Sequence, residues 1–489
     1  TSQTTVLVGR NGSGKSNLLE VLTIIFSELD LGEKPSIKYR LQYECRKHKV
    51  FVDADPKRDK PVYVNVDGKE LTFNQFRTAT NREYLPNFVF CYYSGPDARI
   101  AKHFIKHERK FFDDLVKGID LPLRPLFYAR NDHSKYALLA FFSEKDQEIL
   151  ELLKKNLWIE GLDSVLFVMR EPPWNSKEGD PRFWKARGTV NSFLDKLYGL
   201  ALAPVRIKQR VSLNFRQYTT LEHLYLYLKD SDAVKELADL YPNLQEFFKA
   251  LESTNKSELL RDVRIKIRVR KADGTLSFQD LSDGEKQLIM VLGLLRFTKE
   301  DESLFLLDEP DTHLNPAWSL QYIDFLRLVV GDQDTSHIIM TTHDPLTIAG
   351  LERKQVQIIQ RDESNGTISA IHPEEDPRGM GVAALLTSDI YGLRSSLDQA
   401  TLKDLDYKRL LEVKVRKGET LSDEEHQDLE RINRQLLDLD FTKTARDPLY
   451  EPFVRAMTEV MQEENMNVPV LTPAQQEMQK EAALEIVKR

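Results

Sequence analysis

Near the N-terminus, the run Gly9-Arg10-Asn11-Gly12-Ser13-Gly14-Lys15-Ser16 has the residue types and spacing that can surround a phosphate chain. Glycines let successive backbone N–H groups turn inward, a lysine supplies a point charge, and a serine hydroxyl offers a hard oxygen to Mg2+. The pattern predicts Asn11, Gly12, Ser13, Gly14, Lys15, Ser16 and Asn17 as nucleotide contacts, with ATP and Mg2+ as ligands. Far downstream, the apolar run Leu304-Phe305-Leu306-Leu307 ends in Asp308-Glu309. Asp308, together with Ser16, is expected to hold the metal, and Glu309 to polarise an attacking water. A solvated strand end is the plain alternative. A second apolar run, Ile338-Ile339-Met340-Thr341-Thr342, ends at His343, placed to sense a γ-phosphate and assigned with Glu309 to catalysis. Leu281-Ser282-Asp283-Gly284-Glu285-Lys286-Gln287 leads into an apolar helix, and alone it reads equally well as a helix cap.

Groups so far apart in sequence need elements that carry them to one place. Thr5–Val8 reads as a short strand feeding the glycine loop, and Asn17–Leu22 as the start of an amphipathic helix. Doubly wound sheets gather polar chemistry at the carboxyl ends of their strands, so the expected class is α/β. With 489 residues there is room for about three domains. Acidic residues (77) outnumber basic ones (69), which excludes nucleic-acid binding through net charge and leaves a local basic groove open. Cys45 and Cys91 are too few for a disulfide framework, which suggests a reducing compartment. No apolar run reaches the roughly 18 residues of a membrane span. The reading is a soluble, cytoplasmic protein without a membrane partner. Because the chain opens at Thr1 directly on a strand, sequence ahead of it is expected.

In order and spacing, Gly9–Ser16, Leu281–Gln287, Leu304–Glu309 and His343 resemble the Walker A, signature, Walker B and switch histidine of ABC-type ATPases, in the SMC/RecF-like branch. The resemblance implies a P-loop head, a mixed sheet flanked by helices, that forms a head-to-tail homodimer around two ATP molecules. Ser282, Gly284 and Glu285 of one subunit would act in trans on the nucleotide of the other, and a higher oligomer stays open. Glu285 stands where transporter motors usually carry Gln, and 264 residues lie between Ser16 and Leu281, more than such a motor needs. The strand pair that normally precedes the Walker A strand is missing, and Gln75 is not diagnostic of a glutamine loop, so the adenine contact is unassigned. Glu375–Ala383, Leu385–Asp398, Tyr92–Gly95 and Phe183–Gly188 are similar to the PtuA-type ATPases of bacterial anti-phage systems, Septu and retrons. That likeness implies an ATPase regulating a separate HNH-type nuclease and, in retrons, a reverse transcriptase with its RNA–DNA hybrid. No nuclease site is read in the chain itself. The alternative is a RecF/SMC-like repair or recombination ATPase acting directly on DNA.

Four regions follow: 1–96, a head N-lobe with a β-meander over 36–72 turning at Asp67-Gly68; 97–260, a mostly helical insertion or lid; 261–372, the head C-lobe; and 373–489, a helical partner-docking region. In the insertion, Leu138–Trp158 and Val190–Leu202 read as helical, with no sustained heptad. In the last region, Ser422-Asp423-Glu424-Glu425 is a capping box, Leu429, Ile432, Leu436 and Leu439 share a face, and Thr472-Pro473 opens a final helix. These helices either pack on the head or dock a partner. Arg99, Lys102, Lys106, Arg109 and Lys110 form one basic cluster. Arg264, Lys266, Arg268 and Arg270 form another, alternating with Val263, Ile265, Ile267 and Val269 so that four cations share a strand face. Each cluster reads as a solvated face or as a track for a DNA or RNA backbone.

Overall fold

The computed structural model describes residues 4–95, 99–120, 123–143, 147–212, 218–270, 275–298, 302–330, 336–362, 365–438, 457 and 472–488. The chain divides into two compact units: Thr1–Leu7 with Gly14–Thr347, and Val8–Ser13 with Ile348–Arg489.

In the first unit, β1 (Thr4–Val8) precedes α1 (Lys15–Leu31), then β2 (Tyr39–Cys45), β3 (His48–Ala54), β4 (Val62–Val66), β5 (Lys69–Leu71) and α2 (Phe73–Arg77). Strands β2 to β5 pair in sequence order as the expected antiparallel meander. Its turn at Asp67-Gly68 has φ of 51° and 84°, the two left-handed residues that a tight hairpin needs. Gln75 closes a capping box with Thr72 at the start of α2, which accounts for that glutamine without a nucleotide.

The chain continues through β6 (Phe88–Tyr93), α3 (Ile105–Lys117), β7 (Leu126–Tyr128), α4 (Asn131–Ser143), α5 (Gln147–Asn156), β8 (Ile159–Arg170), α6 (Gly188–Leu200), β9 (Val205–Ser212), β10 (Tyr218–Leu228), α7 (Ser231–Asp239) and α8 (Leu244–Lys256). Next come β11 (Leu260–Val269), β12 (Thr275–Ser277), α9 (Asp283–Thr298), β13 (Ser303–Asp308), α10 (Pro316–Val330), β14 (Ser336–Thr341) and α11 (Pro345–Ile348).

Five of these strands form a parallel array in the order β1-β14-β13-β6-β7. Every residue of β13 is buried, as befits a parallel strand covered on both faces. Phe305, Phe90 and Phe127 lie in register across β13, β6 and β7, their rings stacked at 5.2 and 5.1 Å. Helix α1 crosses β6, β13 and β14, and α9 also packs against β6.

The interval 97–260 holds the expected helices, with Leu138–Trp158 broken into α4 and α5. It also holds the long strands β8, β9 and β10, which join β11 and β12 in an antiparallel sheet ordered β12-β11-β8-β10-β9. Helices remain the larger part of the insertion's regular structure, and the strand layer is what the sequence reading lacked. Val165–Met169 in the middle of β8 is wholly apolar, and periodicity cannot separate a buried strand from a buried helix in such a run. Three of the five cations in the first basic cluster are paired with carboxylates within the fold. Arg99, Lys102 and His103 converge on Glu20 of α1 at 2.7, 3.3 and 3.0 Å, and Lys106 meets Glu33 at 2.6 Å.

In the second unit, β15 (Val356–Arg361) and β16 (Ile368–Ile371) pair antiparallel, followed by α12 (Val382–Thr387), α13 (Gln399–Arg416), α14 (Asp423–Asp438) and α15 (Pro473–Lys488). Asp398 caps α13 through the Ala400 and Thr401 N–H groups. The Ser422–Glu425 capping box opens α14, and Lys414 clasps Glu425 at 2.6 Å across the hairpin. Ile432 and Leu436 are buried, and Leu439 lies outside the described residues. No described helix is long and apolar enough to cross a membrane.

Candidate nucleotide site

Three neighbouring parallel strands carry the predicted chemistry at their carboxyl ends. β1 runs into the glycine loop, β14 into Thr342-His343, and β13 ends on Asp308, just before Glu309. The Asp308 carboxylate is buried. Its Oδ1 accepts hydrogen bonds from the Ser16 hydroxyl at 3.0 Å and the Thr341 hydroxyl at 2.5 Å. Ser16 and Asp308 thus bring two hard oxygens together, a donor set suited to Mg2+.

Glu309 has φ of 50°, a left-handed backbone that costs a non-glycine residue about 1–3 kcal/mol. Its N–H donates to both the carbonyl (3.2 Å) and the hydroxyl (3.0 Å) of Thr341, which hold the strained turn. The turn brings Glu309 Oε1 within 3.2 Å of His343 Nε2. Burial, then the neighbouring Asp308 charge, raises the Glu309 carboxyl above its ordinary range, with Lys15 opposing. Burial, then the Lys15 ammonium, holds His343 below its ordinary value, with Asp308 opposing. With its value held down, the His343 ring stands beside the Glu309 carboxylate as a neutral imidazole rather than as an ion-pair partner. Burial also lowers the Lys15 ammonium, while Glu309 and Asp308 act to keep it charged.

The loop residues have their own local logic. Gly9, Gly12 and Gly14 all have positive φ. A Cβ on Gly9 would sit 2.4 Å from the Ile359 carbonyl oxygen, so only glycine fits there. Asn11 and Gly12 are exposed. The Ser13 N–H donates to the Arg10 carbonyl at 3.1 Å, while its buried hydroxyl has no hydrogen-bond partner among the described residues. The Asn17 carboxamide oxygen accepts from Arg99, so its side chain is engaged by the cation that also holds Glu20.

The signature residues form a separate group at the start of α9. Ser282 is exposed, and it shares a reciprocal capping box with Glu285. The Ser282 N–H and hydroxyl donate to Glu285 Oε2 at 2.7 and 2.8 Å, and the Glu285 N–H donates back to Ser282 Oγ at 3.3 Å. Gly284 is buried, and a Cβ there would meet the His313 carbonyl oxygen at 2.3 Å. Among the described residues, none of the three hydrogen-bonds to Ser16, Asp308, Glu309 or His343.

Three contributors escaped the sequence reading. Thr341 braces both Asp308 and Glu309. Gln287, buried on α9, donates its amide to the Pro310 carbonyl just after Glu309. Asp311 is buried, and its Oδ2 accepts the Thr342 and Thr347 hydroxyls at 2.5 and 2.6 Å. Burial pushes the Asp311 carboxyl up to about 6 against those hydrogen bonds. Two consecutive threonines ending an otherwise apolar strand were the available signal.

The family described as "AAA domain, putative AbiEii toxin, Type IV TA system" matches residues 4–60 and 165–349, which contain the glycine loop and everything from the signature to His343. The Septu protein PtuA of Bacillus mycoides (strain KBAB4) is 29% identical over 160 residues, covering 30% of this chain and 22% of PtuA. The chain resembles PtuA and the ABC-type ATPases over these segments. The phosphate import ATP-binding protein PstB of Thermococcus kodakarensis (strain ATCC BAA-918 / JCM 12380 / KOD1) is 25% identical over 165 residues, 34% of this chain and 60% of PstB. Each match spans less than two thirds of that relative. An SMC head bound to the C-winged helix domain of ScpA aligns over 76% of this chain and 91% of its own, at 13% identity and a TM-score of 0.32. The SMC head domain from Thermotoga maritima gives the same coverage and identity with a TM-score of 0.31. At such scores the fold rests on the strand order itself.

Proposed function

We propose that this chain binds and hydrolyses ATP as a head-to-tail homodimer, and that the nucleotide-driven switch controls a separate effector nuclease in cytoplasmic anti-phage defence. The observation that carries the reading is the hydrogen-bonded series Ser16–Asp308–Thr341–Glu309, with His343 on Glu309, at the ends of adjacent strands. Lys15 offers a point charge to the phosphates. Ser16 and Asp308 would hold Mg2+, which when bound neutralises charge on the phosphate oxygens. The raised Glu309 carboxylate takes a proton from the attacking water, and neutral His343 orients it by donating from Nε2. Ser282, exposed at the N-terminus of α9, supplies a hydroxyl beside a positive helix end that a phosphate held by a second copy can use. One subunit alone therefore lacks part of the site.

The defence half of the reading is supported by the match to a Septu protein and rests on it. An HNH-type nuclease is the partner this reading names, joined in a retron setting by a reverse transcriptase with its RNA–DNA hybrid. Two measurements test the two halves separately. Purified chain should hydrolyse ATP with Mg2+, and Lys15→Ala should weaken ATP binding by at least about tenfold. Undiminished binding in that variant would remove the glycine loop from the site. Affinity capture of the tagged chain from its native host should recover a nuclease in stoichiometric amount. Recovery with replication and repair proteins instead would favour direct action on DNA.

A further inference from the structure

One face of the five-stranded antiparallel sheet carries a cation row that the nucleotide site leaves unused. Along β11, Val263, Ile265 and Ile267 are buried, while Arg264, Lys266 and Arg268 point to the opposite, exposed face. The strand registers define their surroundings. Lys266 stands between Ser277 of β12 and Ser164 of β8, and Arg268 between Thr275 and Gly161. These short neighbours leave both cations on a low floor. Gly161 is the lowest point, since a Cβ there would meet Arg268 Nη2 at 2.7 Å. One row further, Arg264 is followed across the sheet by Leu166 and then Tyr227, and the next row passes through Val168 to Tyr225. Tyr227 is 37% exposed. Just past the strand, the Arg270 guanidinium lies 6.0 Å from the centroid of Trp158, itself 40% exposed.

Same-face residues on a strand repeat roughly every 6.6–6.8 Å, and the tyrosines lie two strands away, about 9.5 Å. Evenly spaced cations beside exposed rings suit a polymer with regularly spaced anions and flat faces. The charge pattern separates this cluster from the earlier one, where Arg99, Lys102 and Lys106 are engaged by Glu20 and Glu33. Arg264 pairs with Asp262 at 3.1 Å, and Asp262 also holds Lys135 at 2.7 Å. Lys266 and Arg268 have no carboxylate partner among the described residues. Glu160 and Asp163, at irregularities in the β8 pairing, are their acidic neighbours on that strand. An acidic peptide would use the cations and leave the rings idle, and a duplex hides the base faces that the rings could stack on.

We propose that this face binds single-stranded nucleic acid, with the phosphodiester backbone along β11 and bases over Tyr225, Tyr227 and Trp158. The surface lies on the first unit and stands apart from the ATPase reading, so either can fail alone. With a formal charge of −8 on the whole chain, the attraction must be local and salt-sensitive.

Fluorescence anisotropy of the full chain, without nucleotide, tests it. The probe is a labelled oligothymidylate of about 30 nucleotides, titrated between about 50 and 200 mM salt. Saturable binding is expected. Lys266→Ala/Arg268→Ala should weaken it by about tenfold or more and flatten the salt slope by about 1.4, two contacts at roughly 0.7 each. Tyr227→Ala should weaken binding at an unchanged slope, whereas Lys102→Ala/Lys106→Ala, paired cations of the first cluster, should leave affinity within about twofold. Circular dichroism confirms that each variant is folded. No binding by the wild-type chain at the lowest salt overturns the proposal. So does an unchanged affinity and slope in the β11 variant, equal affinity for the duplex, or equally effective competition by polyglutamate.

Discussion

Glu309 is held in a left-handed backbone by the carbonyl and hydroxyl of a single threonine, Thr341, which also donates to Asp308. Two carboxylates of different purpose are therefore positioned by one residue that carries no charge. Asp311, three residues beyond Asp308, is also a buried carboxyl, and it makes a prediction of its own. Its folded pKa of about 6 exceeds the unfolded value of roughly 3.9. A group raised in this way contributes stability that is fully present below the unfolded value and is lost as pH rises through the folded one. The loss is of order 3 kcal/mol between about pH 4 and pH 6. Asp311→Asn keeps an acceptor for the Thr342 and Thr347 hydroxyls and has no such titration. Urea unfolding at about pH 5 and pH 7.5 should show the wild type losing stability relative to this variant as pH rises. Parallel pH dependence in the two proteins would mean that Asp311 is already ionised in the folded state at low pH.

The start of α9 shows how one element can serve structure and site together. The Ser282–Glu285 box satisfies helix-end N–H groups, and Gly284 lets the helix approach the His313 carbonyl. Gly284 therefore has a packing role independent of any phosphate. Gly284→Ala should lower stability by about 1–3 kcal/mol in urea titration, because the obstructing atom is backbone. A variant as stable as the wild type would show that the helix and the His313 turn separate easily. Elements of this kind were legible because local chemistry defines them: the glycine loop, both serine capping boxes and the Asp67-Gly68 hairpin all stand where the residues put them. The strands of the insertion were less legible. Val165–Met169 of β8 is apolar on both faces and so hides its period, whereas β9 alternates Val205, Ile207 and Val211 with Arg206, Lys208 and Arg210, a strand signal that the sequence reading missed. Thr341, Asp311 and Gln287 were missed for another reason: each acts through a partner distant in sequence, which no local pattern displays.

At the scale of the molecule, the groups proposed to grip phosphate and activate water lie on one set of strand ends, while Ser282 is an exposed helix cap that makes no hydrogen bond to Ser16, Asp308, Glu309 or His343 among the described residues. The account's central claim is that a second copy brings its cap to this site when ATP is bound. Glu309→Gln keeps the side-chain shape and removes the proton acceptor, so it should bind ATP, stop before hydrolysis and accumulate the closed form. The direct measurement is the solution mass of Glu309→Gln by light scattering, with ATP and Mg2+, with ADP, and without nucleotide. The account predicts a doubling of mass with ATP alone, abolished when Lys15→Ala is added. An ATP-bound Glu309→Gln protein of the same mass as the nucleotide-free one would contradict it.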